Sequence, residues 1–333
     1  MSMREITCGQ AVREALAEEM RRDPSVFCMG EDVAAYGGSF KITKGLVEEF
    51  GPERVRDTPI SEAGFVGAGV GAALTGMRPV VEVMFCDFTT IAMDQLVNQA
   101  AKLRYMFGGK ARVPLTIRTT IGGGRSGAAQ HSQSLHAWFA HVPGLKVVVP
   151  STPYLIKGLL KASIRDDNPV IFCENKTMYN VKGLVPDEDY VVPLGRAWTH
   201  REGRDVTIIA MSSMVYKALD AAKTLAEQGI EAEVMDPCGL YPLDVETLAA
   251  SVRKTHRCLI VDEGVRRFGA TAELSAVIYE NAFDYIDAPI VRIGASENPM
   301  PFSPPLEQAT IPQAAQIVAA VQEMLGTAQK VAA

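Results

Sequence analysis

The stretch DTPISEAGFVGAGVGAALTG, Asp57–Gly76, decides how the rest of the chain is read. Ser61 stands where a hydroxyl can accept from helix N–H groups that lack an intrahelical partner. Glu62 then falls in the first turn, where the helix dipole favours a carboxylate. Gly64, Gly67, Ala68, Gly69, Gly71, Ala72 and Ala73 follow, a run too rich in glycine for good helix propensity. A helix so stripped of side chains is useful where another backbone or a flat ligand comes close. Taken alone, the spacing favours an ordinary capped and buried helix, so its meaning depends on what surrounds it.

Outward from this stretch the chain alternates helix and strand. Thr7–Gln10 has the form of a capping box, and Val12, Ala15, Leu16 and Met20 continue a helical stripe. VFCMG (26–30), PVVEVMF (79–85), VPLTIRT (113–119), KVVVP (146–150) and PVIFCEN (169–175) read as strands. Helices are expected at 42–51, with Gly51 as its stop, at 61–76, as one long amphipathic helix at about 90–106, and at 153–166. Continuous apolar strands between helices argue for a mainly parallel sheet covered on both faces.

Between residues 176 and 205 the pattern becomes polar and Pro/Gly-punctuated, which reads as a linker with a short strand pair. A second alternation follows: strands VTIIAM, EAEVMD, RCLIVDE and PIVRIG, with helices at 214–228, 243–255, 270–281 and about 312–325. The expected fold class is therefore α/β with two domains, each a mainly parallel sheet flanked by helices. The boundaries are 1–175, a linker at 176–205, and 206–333.

The 333 residues are 47% hydrophobic and 22% charged, ordinary for a globular protein with sizeable cores. A formal net charge of −6 offers no electrostatic attraction for nucleic acid or an anionic membrane. No apolar run is long enough to span a bilayer. The start, MSMREITCGQ, lacks the apolar stretch of a signal peptide, so a cytoplasmic location is expected. Cys8, Cys28, Cys86, Cys173, Cys238 and Cys258 form no CxxC pair; several lie in apolar strand-like runs and read as core residues.

Familiar sites are missing. GGGRSG lacks the lysine of a phosphate loop, GAGVGAAL does not spell the dinucleotide fingerprint, and neither HExxH nor GxSxG occurs. What remains is a set of side chains just past strands. Glu62 follows ERVRD, Phe88 follows PVVEVMF, and His131 follows VPLTIRT and a glycine-rich loop. In an open parallel sheet, ligands bind beyond the carboxyl ends of the strands, so an acid, an aromatic and an imidazole map to one edge.

DTPISEAGFVGAGVGAALTGMRPVVEVMF, AAQHSQSLHAWFAHVPGLKVVVPSTPYLIKGLL and IRDDNPVIFCEN resemble the beta subunits of the thiamine-diphosphate-dependent 2-oxo acid dehydrogenases, a family that includes the pyruvate, branched-chain and acetoin enzymes. The resemblance runs from Ile6 to the last helix. It implies a transketolase-type pyrimidine-binding domain and a transketolase C-terminal domain. It also implies a heterotetramer of two alpha and two beta chains with the cofactor at the alpha–beta interface.

On this resemblance Glu62 is the acid that hydrogen-bonds the aminopyrimidine ring nitrogen, a proton relay through the cofactor. Phe88 is the aromatic that packs on the pyrimidine. His131 is the histidine that assists acyl transfer to lipoamide, since an imidazole changes charge near neutrality. Leu115, Ser163, Asp166 and Asn168 match a position where the family holds a monovalent cation such as K⁺, through oxygen ligands; DDNP is equally good turn chemistry. The Gly-Asp-Gly…Asn motif for Mg²⁺ and the diphosphate is absent here and belongs to the alpha subunit, so this chain should carry half of a site and be inactive alone. The C-terminal domain is expected to contact a second beta chain. It is also expected to dock the dihydrolipoyl acyltransferase core, with Glu297–Pro312 as an exposed, proline-stiffened loop.

EEMRRDPSV, LRYMFGGKARVPLTIRT and IRDDNPVIFCEN lean towards acetoin-type chains, and VAAYGGSFKITKGL towards pyruvate-type ones. The pyruvate/acetoin group is preferred over the branched-chain branch. A non-catalytic subunit of the same fold is the alternative that the presence of Glu62, Phe88 and His131 weighs against. A self-sufficient transketolase needs a chain about twice as long, and a nicotinamide enzyme needs the missing fingerprint.

Overall fold

The computed structural model describes residues 2–326. Two compact units are built from interleaved segments: the first takes the chain up to Gly122, Gln130–Leu194 and Leu240–Pro242, and the second takes Gly123–Ala129, Gly195–Gly239 and the chain from Leu243 onward.

The first unit runs β1 (Met3–Thr7), α1 (Cys8–Arg22), β2 (Val26–Gly30), α2 (Leu46–Phe50), β3 (Val55–Asp57), α3 (Glu62–Leu74), β4 (Arg78–Val83), α4 (Ala101–Met106), β5 (Thr116–Ile121), α5 (His136–Ala140), β6 (Lys146–Val148), α6 (Pro153–Arg165), β7 (Val170–Asn175) and β8 (Lys182–Pro186). Six strands lie in the order β6-β7-β5-β4-β2-β3, every neighbouring pair parallel. This is the arrangement that the continuous apolar strands call for. The capping box forms as expected: Thr7 Oγ1 accepts from the Gln10 N–H at 3.1 Å, and Gln10 Oε1 accepts from the Thr7 N–H at 2.8 Å. Val12, Ala15, Leu16 and Met20 are all buried.

Several local expectations need correction. Ser61 makes no side-chain cap; instead it leans over Gly64, where an added Cβ would lie 2.9 Å from its Oγ. The close approach expected of α3 falls at Gly69, where a Cβ would come within 2.7 Å of Val81 Cγ2 on β4. The helix expected at 42–51 shrinks to Leu46–Phe50, because Gly45 at φ +90° turns the chain immediately before it; Gly51 at φ +80° does end it. The expected 90–106 helix is not uniform: a 3₁₀ turn covers Cys86–Thr90, and a π-helix at Asp94–Ala100 feeds α4. The 176–205 segment does not form a strand pair of its own. β8 pairs antiparallel with β1, a strand the sequence did not announce.

The second unit contains β9 (Trp198–Arg201), β10 (Val206–Ala210), α7 (Met214–Ala226), β11 (Ala232–Asp236), α8 (Val245–Thr255), β13 (Cys258–Val265), α9 (Ala270–Ala282), β14 (Val291–Ala295), α10 (Pro304–Thr310) and α11 (Ala314–Met324). The short strand β12 (Gly239–Tyr241) sits at the β6 edge of the first sheet. The second sheet runs β14-β13-β10-β11-β9, parallel except for β9. Its core gathers Ile208, Val215, Ala222, Val234, Val261, Ile317 and Val321. The segment Glu297–Pro312 is not plain loop: Pro304 opens α10, as proline does at a helix start, and Glu307 on it is buried. Glu307 accepts from the Ser126 N–H at 3.0 Å and Glu263 from the Gly123 N–H at 2.6 Å, holding the glycine-rich loop within this unit. All six cysteines are buried and unbridged; burial pushes the Cys8, Cys28 and Cys86 thiols up to about 12.

Candidate active site in the first unit

The carboxyl ends of β3, β2, β4 and β5 lie side by side, and each leads to a candidate side chain. After β3, Glu62 opens α3 and is only 5% exposed. After β4, the chain passes Phe85 and turns through the 3₁₀ segment carrying Phe88. After β5 comes His131. The Phe88 and His131 rings meet edge to face, centroids 5.3 Å apart at 84°. Phe85 packs edge-on against both, at 5.7 Å from Phe88 and 5.0 Å from His131. Phe40 extends the aromatic set, 5.8 Å from Phe85 and 5.3 Å from Tyr179. Such edge-to-face pairs stabilise by roughly 0.5–1.5 kcal/mol beyond burial and hold rings in one orientation.

The loops are tied to one another. Asp87 Oδ1 accepts from the Gln133 side chain at 2.9 Å, and the Cys86 thiol donates to the Gln133 carbonyl at 3.1 Å. The Thr120 hydroxyl donates to the Met84 carbonyl at 2.6 Å. These bonds tie the chain after β4 to the end of β5 and to the loop that follows it.

Between Glu62 and the aromatic pair lies the end of β2, and it carries an acid the sequence reading missed. Glu31 is 8% exposed, and its Oε1 has no hydrogen-bond partner. Burial first, and then the negative charges of Glu62 and Asp32, hold its carboxyl above the ordinary range. Glu31 and Glu62 are therefore buried acids close enough for the charge of Glu62 to act on Glu31. The available signal was an acid immediately after a fully buried strand, VFCMGE.

Beneath the site, Arg118 on β5 donates to Glu82 on β4 at 2.6 Å and to both oxygens of Glu174 on β7 at 2.7 and 2.9 Å. The Tyr179 hydroxyl donates to Glu174 at 2.7 Å. Burial holds the Glu82 carboxyl above its usual range even beside Arg118.

The four residues matched to a cation position lie around the turn between α6 and β7. Asp166 Oδ1 accepts from the Asn168 N–H at 2.8 Å, the Ser163 carbonyl accepts from the Asp166 N–H at 3.2 Å, and the Leu115 carbonyl accepts from the Val170 N–H at 2.9 Å. Guanidinium groups already use two further oxygens: Arg78 donates to the Asp166 carbonyl at 3.0 Å, and Arg104 to Asn168 Oδ1 at 2.6 Å. Among the described residues no group of three or more His, Cys, Asp or Glu side chains is placed to hold a metal ion.

Two units, each built on a mainly parallel sheet flanked by helices, are a transketolase-type architecture. The sequence agrees: residues 4–182 match the family described as "Transketolase, pyrimidine binding domain" and residues 195–317 match "Transketolase, C-terminal domain". Among curated relatives, "Acetoin:2,6-dichlorophenolindophenol oxidoreductase subunit beta" of Bacillus subtilis (strain 168) is 51% identical, covering 97% of this chain and 98% of that one. "Pyruvate dehydrogenase E1 component subunit beta-4, chloroplastic" of Oryza sativa subsp. japonica is 48% identical over 96% of this chain and 80% of that one. Among solved structures, "Split gene transketolase, inactive beta4 tetramer" superimposes with a TM-score of 0.79 at 26% identity, covering 97% and 99% of the two chains. The chain belongs to the beta subunits of the pyruvate and acetoin dehydrogenase family.

Proposed function

We propose that this chain supplies the pyrimidine-side half of a thiamine-diphosphate site in a dehydrogenase acting on pyruvate or acetoin, and that an alpha subunit supplies the diphosphate and Mg²⁺ side. The observation that carries this is the pair of buried acids, Glu62 and the unpartnered Glu31, at the strand ends next to the Phe88–His131 pair. An orphaned buried carboxyl needs a proton or a partner, and an aminopyrimidine with its ring nitrogen is a group of that kind. When bound, the cofactor supplies the electron sink that lets a bond beside a carbonyl carbon break.

The chain's own residues have four tasks. Glu62 holds a proton at the pyrimidine ring nitrogen. Glu31, its pKa raised by burial and by Glu62, carries a proton more readily than an exposed acid. Phe88 packs on the ring face and excludes water. His131 stands ready for the transfer to a lipoyl group. Opening of the lipoyl S–S bond by a two-electron oxidation of the acyl donor would leave one sulfur acylated and the other a thiolate, which His131 would be placed to protonate.

The heterotetramer with alpha, the contact with a second beta chain through the C-terminal unit, the docking of the acyltransferase around Glu297–Pro312 and a cytoplasmic location belong to the same proposal. The relatives include a bacterial and a chloroplastic subunit, so cell fractionation tests the last of these. Among the described residues no helix is long and apolar enough to cross a membrane. Acyltransferase binding that survives removal of α10 and α11 would contradict the docking.

The purified alpha-free chain should give no pyruvate- or acetoin-dependent dye reduction, and addition of the alpha subunit should restore it. Turnover by the chain alone contradicts the half-site reading. A monovalent cation at Leu115, Ser163, Asp166 and Asn168, held partly by backbone carbonyls, remains a proposal; it competes with Arg78 for the Asp166 carbonyl and with Lys146 for the Asp166 carboxylate. A melting temperature that is higher in K⁺ than in Na⁺ at equal ionic strength supports it, and equal melting temperatures contradict it.

A further inference from the structure

Lys176 is a buried cation that the mechanism above does not use. It follows the last residue of β7, is 2% exposed, and ranks among the largest fully buried side chains of the chain. Removing an ammonium from water costs several kcal/mol unless good acceptors surround it. A lysine kept in such a place is therefore held by what it binds. Its Nζ donates to the carbonyl of Gly122 and, at 2.7 Å, to the carbonyl of His131. Those two carbonyls bracket the segment 123–130, the glycine-rich loop, so one ammonium fixes both ends of it. The same ammonium lies 5.7 Å from the centroid of the Phe85 ring, the ring against which the His131 imidazole packs at 5.0 Å.

We propose that Lys176 is a positioning residue for His131. It pins the backbone of His131 through the carbonyl and the imidazole through Phe85, and so sets where the ring presents its N–H to the incoming lipoyl group. The anchor is rigid at its other end. Glu174, two residues earlier on β7, is locked into the Arg118 network, and the Lys176 N–H continues the ladder to the Ile121 carbonyl. The chain of support runs from the centre of the sheet, through β7 and Lys176, to the reactive ring. A shift of about 1 Å in a reacting group can cost on the order of 100-fold in rate.

This inference rests on the reading of His131 as the residue that assists acyl transfer, and the experiment separates the two. Wild type, Lys176→Met, Lys176→Gln, His131→Ala and the Lys176→Met/His131→Ala double variant are assembled with the alpha subunit. Each is assayed for dye reduction and for acyl transfer to a free lipoyl domain. The imidazole resonances of the full chain are followed by NMR in parallel, with His131→Ala identifying the signal.

The expected result is a loss of acyl-transfer kcat on the order of 100-fold in Lys176→Met, a much smaller loss in dye reduction, and a double variant no slower than the slower single. The His131 resonance should move towards that of an unstacked imidazole. Lys176→Gln keeps a donor without the charge and should recover part of the rate; it also provides the measurement if Lys176→Met does not fold.

Unchanged acyl transfer in Lys176→Met and Lys176→Gln, with a loss in His131→Ala, overturns the positioning role and leaves the His131 reading standing. Unchanged transfer in His131→Ala removes that reading, and the positioning role with it. Equal losses in both assays, multiplying with those of His131→Ala, make Lys176 a fold-stabilising residue only and overturn the proposal.

Discussion

Glu62→Gln in the alpha-bound enzyme should lower kcat by about 10²–10⁴-fold, the range a positioned acid–base group contributes. Glutamine keeps the size of the side chain and its place in the first turn of α3, so the fold is not at risk. What it loses is the exchangeable proton and the charge. KM for pyruvate or acetoin should change much less than kcat, because the proposed role of Glu62 is at the cofactor ring and not at the substrate. The substitution also changes its neighbour: without the charge of Glu62, one of the causes that hold the Glu31 carboxyl above the ordinary range disappears. Steady-state dye reduction with saturating cofactor is the measurement. Wild-type kcat in Glu62→Gln would remove the residue from the chemistry and return the chain to the non-catalytic alternative.

The largest effect on stability should come from Arg118→Met. Arg118 is 2% exposed and bridges Glu82 and Glu174 across three adjacent strands. Replacing it with an apolar side chain leaves the buried Glu174 and the largely covered Glu82 without their cation, which costs about 3–5 kcal/mol. At roughly 2–4 °C per kcal/mol for a domain of this size, the melting temperature should fall by about 6–20 °C. The cost comes from uncompensated carboxylates, so adding Glu174→Gln and Glu82→Gln should recover part of the loss, because the remaining groups are neutral. A melting temperature for Arg118→Met within about 2 °C of wild type would show that the network contributes little. Glu174 also orients Tyr179 and immediately precedes the Asn175–Lys176 pair, so the same substitution should loosen the platform under Phe85.

The part of this site that could be read from sequence is the part that topology enforces. Parallel strands bring all their carboxyl ends to one edge, so Glu62, Phe88 and His131 needed only correct strand assignments to be grouped together. The capping box at Thr7–Gln10 and the proline-led α6 are equally local signals, complete within a few residues. What escaped was non-local or chemically ordinary. Glu31 is an acid after a strand, unremarkable until burial and the nearness of Glu62 give it meaning. Arg118, Glu82 and Glu174 are charged residues in three separate strands, and only the strand order β4-β5-β7 makes them a network. The β1–β8 pair joins segments from opposite ends of the first unit. Ser61 shows the reverse error, a good cap residue whose backbone places its hydroxyl over Gly64. Pro304 fits a stiff loop by sequence alone, yet proline is equally at home in the first turn of α10, where it stands.

The measurement that bears most directly on the half-site is calorimetric titration of thiamine diphosphate with Mg²⁺ into the chain alone and into the alpha–beta complex. Saturable binding is expected in the complex and none in the chain alone, with clear weakening of the complex's binding by Glu62→Gln. Tight binding to the isolated chain, or no binding to a verified complex, would contradict it.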